Sequence, residues 1–142
     1  MKFHVATPDE EGWINERYDE VGFQHSDLTR DLQVIAEEDG QRVGMGRLVT
    51  LAENAVELGG MLVFDPFRGR GVAKKIIAEL LRHAGDREVY CIPFLDLEPI
   101  YAGAGFTRVE TGPEKALKKV EWCERTYPRG VVLMRLGDDS PN

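Results

Sequence analysis

Residues 57–73 read Glu57-Leu58-Gly59-Gly60-Met61-Leu62-Val63-Phe64-Asp65-Pro66-Phe67-Arg68-Gly69-Arg70-Gly71-Val72-Ala73. An apolar run enters an Asp-Pro turn, and a glycine-rich turn with two arginines then opens an amphipathic segment. Val72, Ala73, Ile76, Ile77, Leu80 and Leu81 recur at helical spacing and predict a helix from Val72 to about His83, stopped by Gly85. A strand-to-helix turn points the unpaired amides of the first helical turn outward, where the macrodipole adds partial positive charge. Gly69 and Gly71 let an anion come close to the backbone, and Arg68 and Arg70 add charged donors. Such a turn suits a pyrophosphate. It is not a P-loop, because GxxxxGK with a following Ser or Thr is absent. It is not a dinucleotide fingerprint either, because Lys74 stands where a third small residue is required. Taken alone the glycine pair is weak evidence, and a tight turn with two solvated arginines is the simpler reading.

Outward from this stretch, Val89-Tyr90-Cys91-Ile92 is a buried strand, so strand, helix and strand form a parallel pair with a crossover helix. Upstream, Phe3–Ala6 is a strand, and Thr7-Pro8-Asp9-Glu10 starts a helix to about Val21, with Thr7 as its N-cap. A second short helix is expected over Ser26–Leu32. Gln33–Glu37 and Val43–Leu51 flank the Asp39-Gly40 turn as a hairpin, and Ala55–Phe64 adds a third antiparallel strand. Downstream, a helix over Leu95–Ala104 is broken early by Pro99, and Phe106–Thr111 is a strand. Pro113 opens a last helix, Lys115 to Tyr127, on which Ala116, Leu117, Val120 and Cys123 share a face. Val131–Leu136 is a final strand before a polar tail, residues 138–142. The expected fold class is α+β: one domain, residues 1–142, around a mixed, mostly antiparallel sheet of six or seven strands with one parallel pair, flanked by helices.

Composition excludes several classes. Lys+Arg 18 against Asp+Glu 25 gives a net charge of −7 over 142 residues, which opposes binding to nucleic-acid phosphates. No apolar run approaches the ~18 residues of a membrane span. The start Met1-Lys2-Phe3-His4-Val5 lacks a secretory pattern, and two cysteines without CxxC spacing make no disulfide scaffold, so a reducing cytoplasm is expected. No ligand cluster asks for a metal, and no Ser/His/Asp or Cys/His nucleophile arrangement is legible. His25 carries no evident role, His83 reads as a partner of its helix C-terminus, and Cys91 as a small buried strand residue.

The run from Glu57 to Ala73 closely resembles the acetyl-CoA-binding segment of the GCN5-related N-acetyltransferases. Arg68-x-x-Gly71-x-Ala73 is similar to that family's Arg/Gln-x-x-Gly-x-Gly/Ala motif. Ile100-Tyr101-Ala102-Gly103-Ala104-Gly105-Phe106 resembles its Leu-Tyr-x-x-x-Gly-Phe segment. Together the motifs cover residues 57–106. The resemblance implies a GNAT-like acyl-CoA N-acyltransferase fold whose parallel pair splays to admit pantetheine. It also implies pairing of pantetheine amides with backbone at Met61, Leu62 and Val63, and a pyrophosphate on amides of Arg68, Gly69, Arg70, Gly71, Val72 and Ala73. An amine of a small molecule or peptide would attack the acetyl-CoA thioester directly, with no metal. By the same resemblance Tyr101 is the general acid, against its plainer reading as a packing aromatic. Glu57 is the base, against a solvated strand carboxylate. Family members often dimerise. A non-catalytic acyl-CoA-binding module on the same fold is the alternative, since fold does not secure activity.

Two positions depart from the family pattern: Phe94 stands where many members carry Asn, and Leu97 where a small residue is common. Residues 1–56 hold 12 acidic against 5 basic side chains, the whole excess of the chain. In this family that part walls the acceptor side, so a cationic amine, such as a polyamine or basic peptide, is the expected acceptor, with solubility as the plainer reading.

Overall fold

Period-two alternation along the hairpin strands separates two sets of apolar side chains, and each set takes its own helices. The computed structural model describes residues 1–137; the polar tail expected over 138–142 lies outside the described residues. Seven strands form one sheet: β1 (Lys2–Val5), β2 (Leu32–Glu38), β3 (Gln41–Ala52), β4 (Ala55–Val63), β5 (Glu88–Cys91), β6 (Phe106–Arg108) and β7 (Met134–Leu136). Their order is β1-β2-β3-β4-β5-β7-β6, antiparallel throughout except for the parallel pair β4 and β5. Four helices flank it: α1 (Glu11–Val21), α2 (Val72–Ala84), α3 (Glu98–Gly103) and α4 (Glu114–Thr126). The expected α+β mixed sheet with a GNAT-like parallel pair is what the chain forms.

Val34, Ala36, Leu48, Val56 and Leu58 meet Val72, Ile76, Ile77 and Leu80 of α2 on one face. Ile35, Met45 and Leu62 meet Ile14 and Tyr18 of α1 on the other, and Leu51, Ala55 and Tyr90 meet Ala116 of α4 beside them. Burial of each large α2 side chain contributes about 1.5–3 kcal/mol relative to exposure. The α2 axis comes close because β3 is bare beneath it. A Cβ on Gly46 would meet Leu80 at 2.9 Å and Ile76 at 3.0 Å.

Four local expectations change. No helix forms over Ser26–Leu32: the Asp27 carboxylate takes the N–H and hydroxyl of Thr29, and Asp31 takes the N–H of Asp27. These side chains offer the backbone a turn in place of a helix. On α4, Leu117 faces solvent, and the inward positions are Ala116, Lys119, Val120 and Cys123. His83 bonds Glu79 at 3.1 Å, while Arg87 takes the last α2 carbonyls, Ala84 at 3.0 Å and His83 at 3.1 Å. The strands at the far edge are shorter than expected, with β6 ending at Arg108 and Val131 making only an isolated bridge to Phe94.

Candidate active site

β4 pairs with β5 only where Ala55, Val56 and Glu57 face Glu88, Val89 and Tyr90. Beyond Glu57 the two strands part. On its other edge β4 slips register against β3, so that Gly60 and Met61 together oppose Gly46. Gly60 has φ +58, and a Cβ there would meet Tyr18 Oη at 2.5 Å and Arg47 Nε at 2.7 Å, so the position requires glycine. This bulge bends β4 and widens the gap beside β5.

The gap opens into a cleft of about 730 Å³. Met61, Leu62, Val63, Arg68, Gly69, Gly71, Val72 and Ala73 all line it, and of the expected cofactor-binding residues only Arg70 does not. Gly71 is the α2 N-cap in the left-handed region, with no capping side chain and no acid in the first turn. The leading amides of the helix are therefore left for a ligand. Arg68 is less free than the motif suggests: its Nε donates to Val63 O at 3.1 Å and it pairs with Asp65. Arg70 lies over the Phe67 ring instead. Lys74 supplies further positive charge, and Arg129 also lines the cleft, paired with its one acid, Asp96, at 2.6 Å. An open helix N-terminus, glycines with clear space around them and a cationic lining fit an acyl-CoA with its pyrophosphate.

A second, smaller cavity of about 100 Å³ lies behind the first, and Phe23, Met61, Phe94, Leu97 and Tyr101 line both. Glu57 reaches it from the vertex of the splay. Glu57 is 3% exposed, and its carboxylate accepts from Lys119 Nζ with both oxygens at 2.8 Å. It is thus a buried, paired carboxylate, not the solvated one that a strand position allowed. α4 supplies Lys119, Trp122 and Cys123 to this cavity, which gives that helix a place beyond packing. Phe94 sits over Tyr127 edge-on at 5.3 Å, with Phe23 at 6.5 Å and the Arg129 guanidinium at 3.8 Å. An aromatic wall therefore replaces the amide that many family members carry there.

Tyr101 is 6% exposed and shares both cavities. Burial, aided by Cys91 and Glu57, pushes its phenol well above the ordinary range. It is protonated across the neutral range and able to donate. Burial, then Glu57, likewise pushes the Cys91 thiol up, so Cys91 lacks the thiolate that a covalent nucleophile needs.

Beneath the smaller cavity runs a polar network that sequence reading missed. Tyr18 donates to Gly60 O at 2.7 Å and accepts from Gln33 Nε2 at 2.9 Å. Ser26 donates to Gln33 Oε1 at 2.6 Å and accepts from Arg47 Nη1 at 2.8 Å, and Nη1 also donates to Gln24 O at 2.9 Å. Arg47 and Gln33 are register partners on β3 and β2, both on the face that carries Met45 and Ile35. A charged and an amide side chain on the inward face of central strands was the signal available. His25 pairs with Asp19 at 2.7 Å outside both cavities. None of the acids in residues 1–56 lines either cavity. Among the described residues no group of three or more His, Cys, Asp or Glu is placed to hold a metal, and no helix is long and apolar enough to cross a membrane.

Residues 3–104 match the sequence profile of the acetyltransferase (GNAT) family. The chain belongs to that family, and its chemistry is acyl transfer with a CoA-type cosubstrate. The search of curated proteins finds no match. Among solved structures it is similar to Rv2747 from Mycobacterium tuberculosis in complex with CoA and NLQ, at TM-score 0.74 and 19% identity over 96% of this chain and 98% of that one. It is also similar to a GNAT family acetyltransferase from Elizabethkingia anophelis with acetyl-CoA bound, at TM-score 0.68 and 12% identity over 96% and 97%. N-acetylglutamate synthase from Neisseria gonorrhoeae, complexed with coenzyme A and N-acetyl-glutamate, matches at TM-score 0.70 and 18% identity, covering 96% of this chain but 35% of that one. At these identities the likeness is one of fold.

Proposed function

We propose that the protein transfers an acetyl group from acetyl-CoA directly to a primary amine of a small molecule or peptide. The observation that carries this reading is the junction of the two cavities at Tyr101, beside Glu57 at the vertex of the splay. In the cleft, backbone of Met61, Leu62 and Val63 would hold pantetheine as an added strand does, and the α2 amides would hold the pyrophosphate. When bound, the cosubstrate presents a thioester carbon to the amine nitrogen; the C–N bond forms as the C–S bond breaks.

The residues manage the protons. An ordinary ammonium holds its proton to pH ~10.4, so a base must take it before attack, and Glu57 does so directly or through a water. Lys119 now occupies the place where such an ammonium would meet that carboxylate, so an entering amine competes with Lys119. Tyr101 gives its phenolic proton to the departing sulfur. The inert Cys91 favours direct attack over an acyl-cysteine route.

The Glu57–Lys119 pair also favours one alternative, an acyl-CoA-binding module whose would-be base is permanently engaged. Release of free thiol from acetyl-CoA across a panel of amines separates the two. Amine-dependent release supports the transferase; binding of CoA without release by any amine supports the module.

A further inference from the structure

The small cavity holds a cation that the proposed chemistry does not use. Its charged lining is Arg47, Lys119 and Glu57. Lys119 and Glu57 neutralise each other, which leaves Arg47 as the one charge of this lining without an ion-pair partner among the described residues. Arg47 is 4% exposed, and no carboxylate of the described residues forms an ion pair with it. Asp31 is near enough to act on the Tyr18 phenol together with Arg47; its Oδ2 accepts from the Asp27 N–H and its buried Oδ1 has no partner, yet it makes no ion pair with Arg47.

The hydrogen bonds of Arg47 explain its orientation but not its charge. Nη1 is anchored by Gln24 O and Ser26 Oγ, and the guanidinium lies over the Tyr18 ring at 4.6 Å. Nε is fully buried and has no partner. A buried guanidinium with an unpaired donor calls for a further partner, a water or an anion. Guanidinium donors form a rigid fork that matches two carboxylate oxygens.

We infer that the acceptor is an amino-carboxylate, of the free α-amino acid kind, whose carboxylate pairs with Arg47 while its amine faces Glu57 and Tyr101. The inference rests on the acyl-transfer reading above and names the acceptor for that same site. It differs from the expectation of a polyamine or basic peptide, which rested on long-range steering by the acids of residues 1–56 and not on a contact in the cavity. The size agrees: about 100 Å³ holds a small head group, with its side chain directed to the opening. The transfer is unchanged in its balance. The ammonium loses one proton to Glu57, the nitrogen takes the acetyl group and gives up a second proton, and CoA leaves as a thiol with the proton of Tyr101, whose phenol that second proton restores.

The test is thiol release from acetyl-CoA with free α-amino acids, each set beside its α-carboxamide and its decarboxylated amine. The expected result is a kcat/KM for the best free acid at least about 100-fold above that of its amide, because an amide leaves the guanidinium unpaired. In Arg47→Gln that ratio falls to within a few-fold of one, and in Arg47→Lys it stays between. CoA affinity by calorimetry reports whether each variant is folded. The ratio is internal to each variant, so partial loss of active protein does not affect it. Amides or polyamines used as well as free acids, or a ratio unchanged in Arg47→Gln, would overturn the inference and leave the transferase standing. CoA binding with no thiol release by any amine would overturn both.

Discussion

The two cavities meet at one tyrosine and are built in opposite ways. The cleft is drawn mainly from one continuous stretch, Met61 to Lys74, and its recognition groups are backbone amides and carbonyls set by Gly69 and Gly71. The smaller cavity gathers side chains from Phe23–Gln24, Arg47, Glu57, Cys91–Phe94 and α4, segments far apart in the chain. Backbone recognition needs particular turns and glycines at fixed spacing, so it writes a motif. Side-chain recognition needs only that distant residues converge, so one part can change without the other.

The largest effect should fall where the two cavities touch. Tyr101→Phe is expected to lower kcat by about 10²–10⁴ while leaving CoA affinity nearly intact, read by thiol release and by calorimetry. Unchanged turnover would return Tyr101 to a packing role against Phe106. Next, Arg68→Glu together with Gly71→Glu places acid at the α2 N-terminus and a side chain at φ +76, and should weaken CoA binding by at least about 100-fold. Undiminished binding would break the backbone half of the comparison.

A core substitution calibrates both. Ile76→Ala, at a fully buried α2 position beneath neither mouth, should cost about 2–5 kcal/mol in urea unfolding. Activity per folded molecule should hold, because the residue packs on the sheet and lines neither cavity.

The buried phenols give a smaller, pH-dependent effect. Tyr18 beneath one cavity and Tyr101 between the two are both shifted up, chiefly by burial. The unfolded chain therefore releases these protons first. Their contribution to stability is complete below the free phenol value of ~10 and is lost as pH rises beyond it, by up to about 1.4 kcal/mol per pH unit for each. Urea melts from pH 8 to 11 should show that fall, and Tyr101→Phe should make it shallower.

The same contrast explains what was legible in the chain. The strand-turn-helix from Glu57 to Ala73 and the parallel crossover were readable because local spacing dictates each of them, whereas Tyr101 was singled out by the family resemblance alone. The Ser26–Leu32 turn was misread because Asp27 and Asp31 capture the backbone, a competition that composition does not announce. Leu117 was expected on the inward face of α4 but faces solvent, while Lys119 turns inward because the Glu57 carboxylate, 62 residues away, accepts from its ammonium. Arg70 was assigned to the anion with Arg68, yet it stacks on Phe67. Arg47 carried a readable sign, a charge on the inward period of a central strand, but its partners Gln24 and Ser26 lie on a loop that only the fold brings near.

The account depends most on where the cosubstrate sulfur lies. A crystal structure of the protein with CoA measures that position directly. The account predicts pantetheine alongside Met61–Val63, the pyrophosphate on the amides at Gly69–Ala73, and the sulfur within hydrogen-bonding distance of Tyr101 Oη, facing the cavity of Glu57 and Arg47. A sulfur turned away from Tyr101, or a pyrophosphate held elsewhere than the α2 N-terminus, would contradict it.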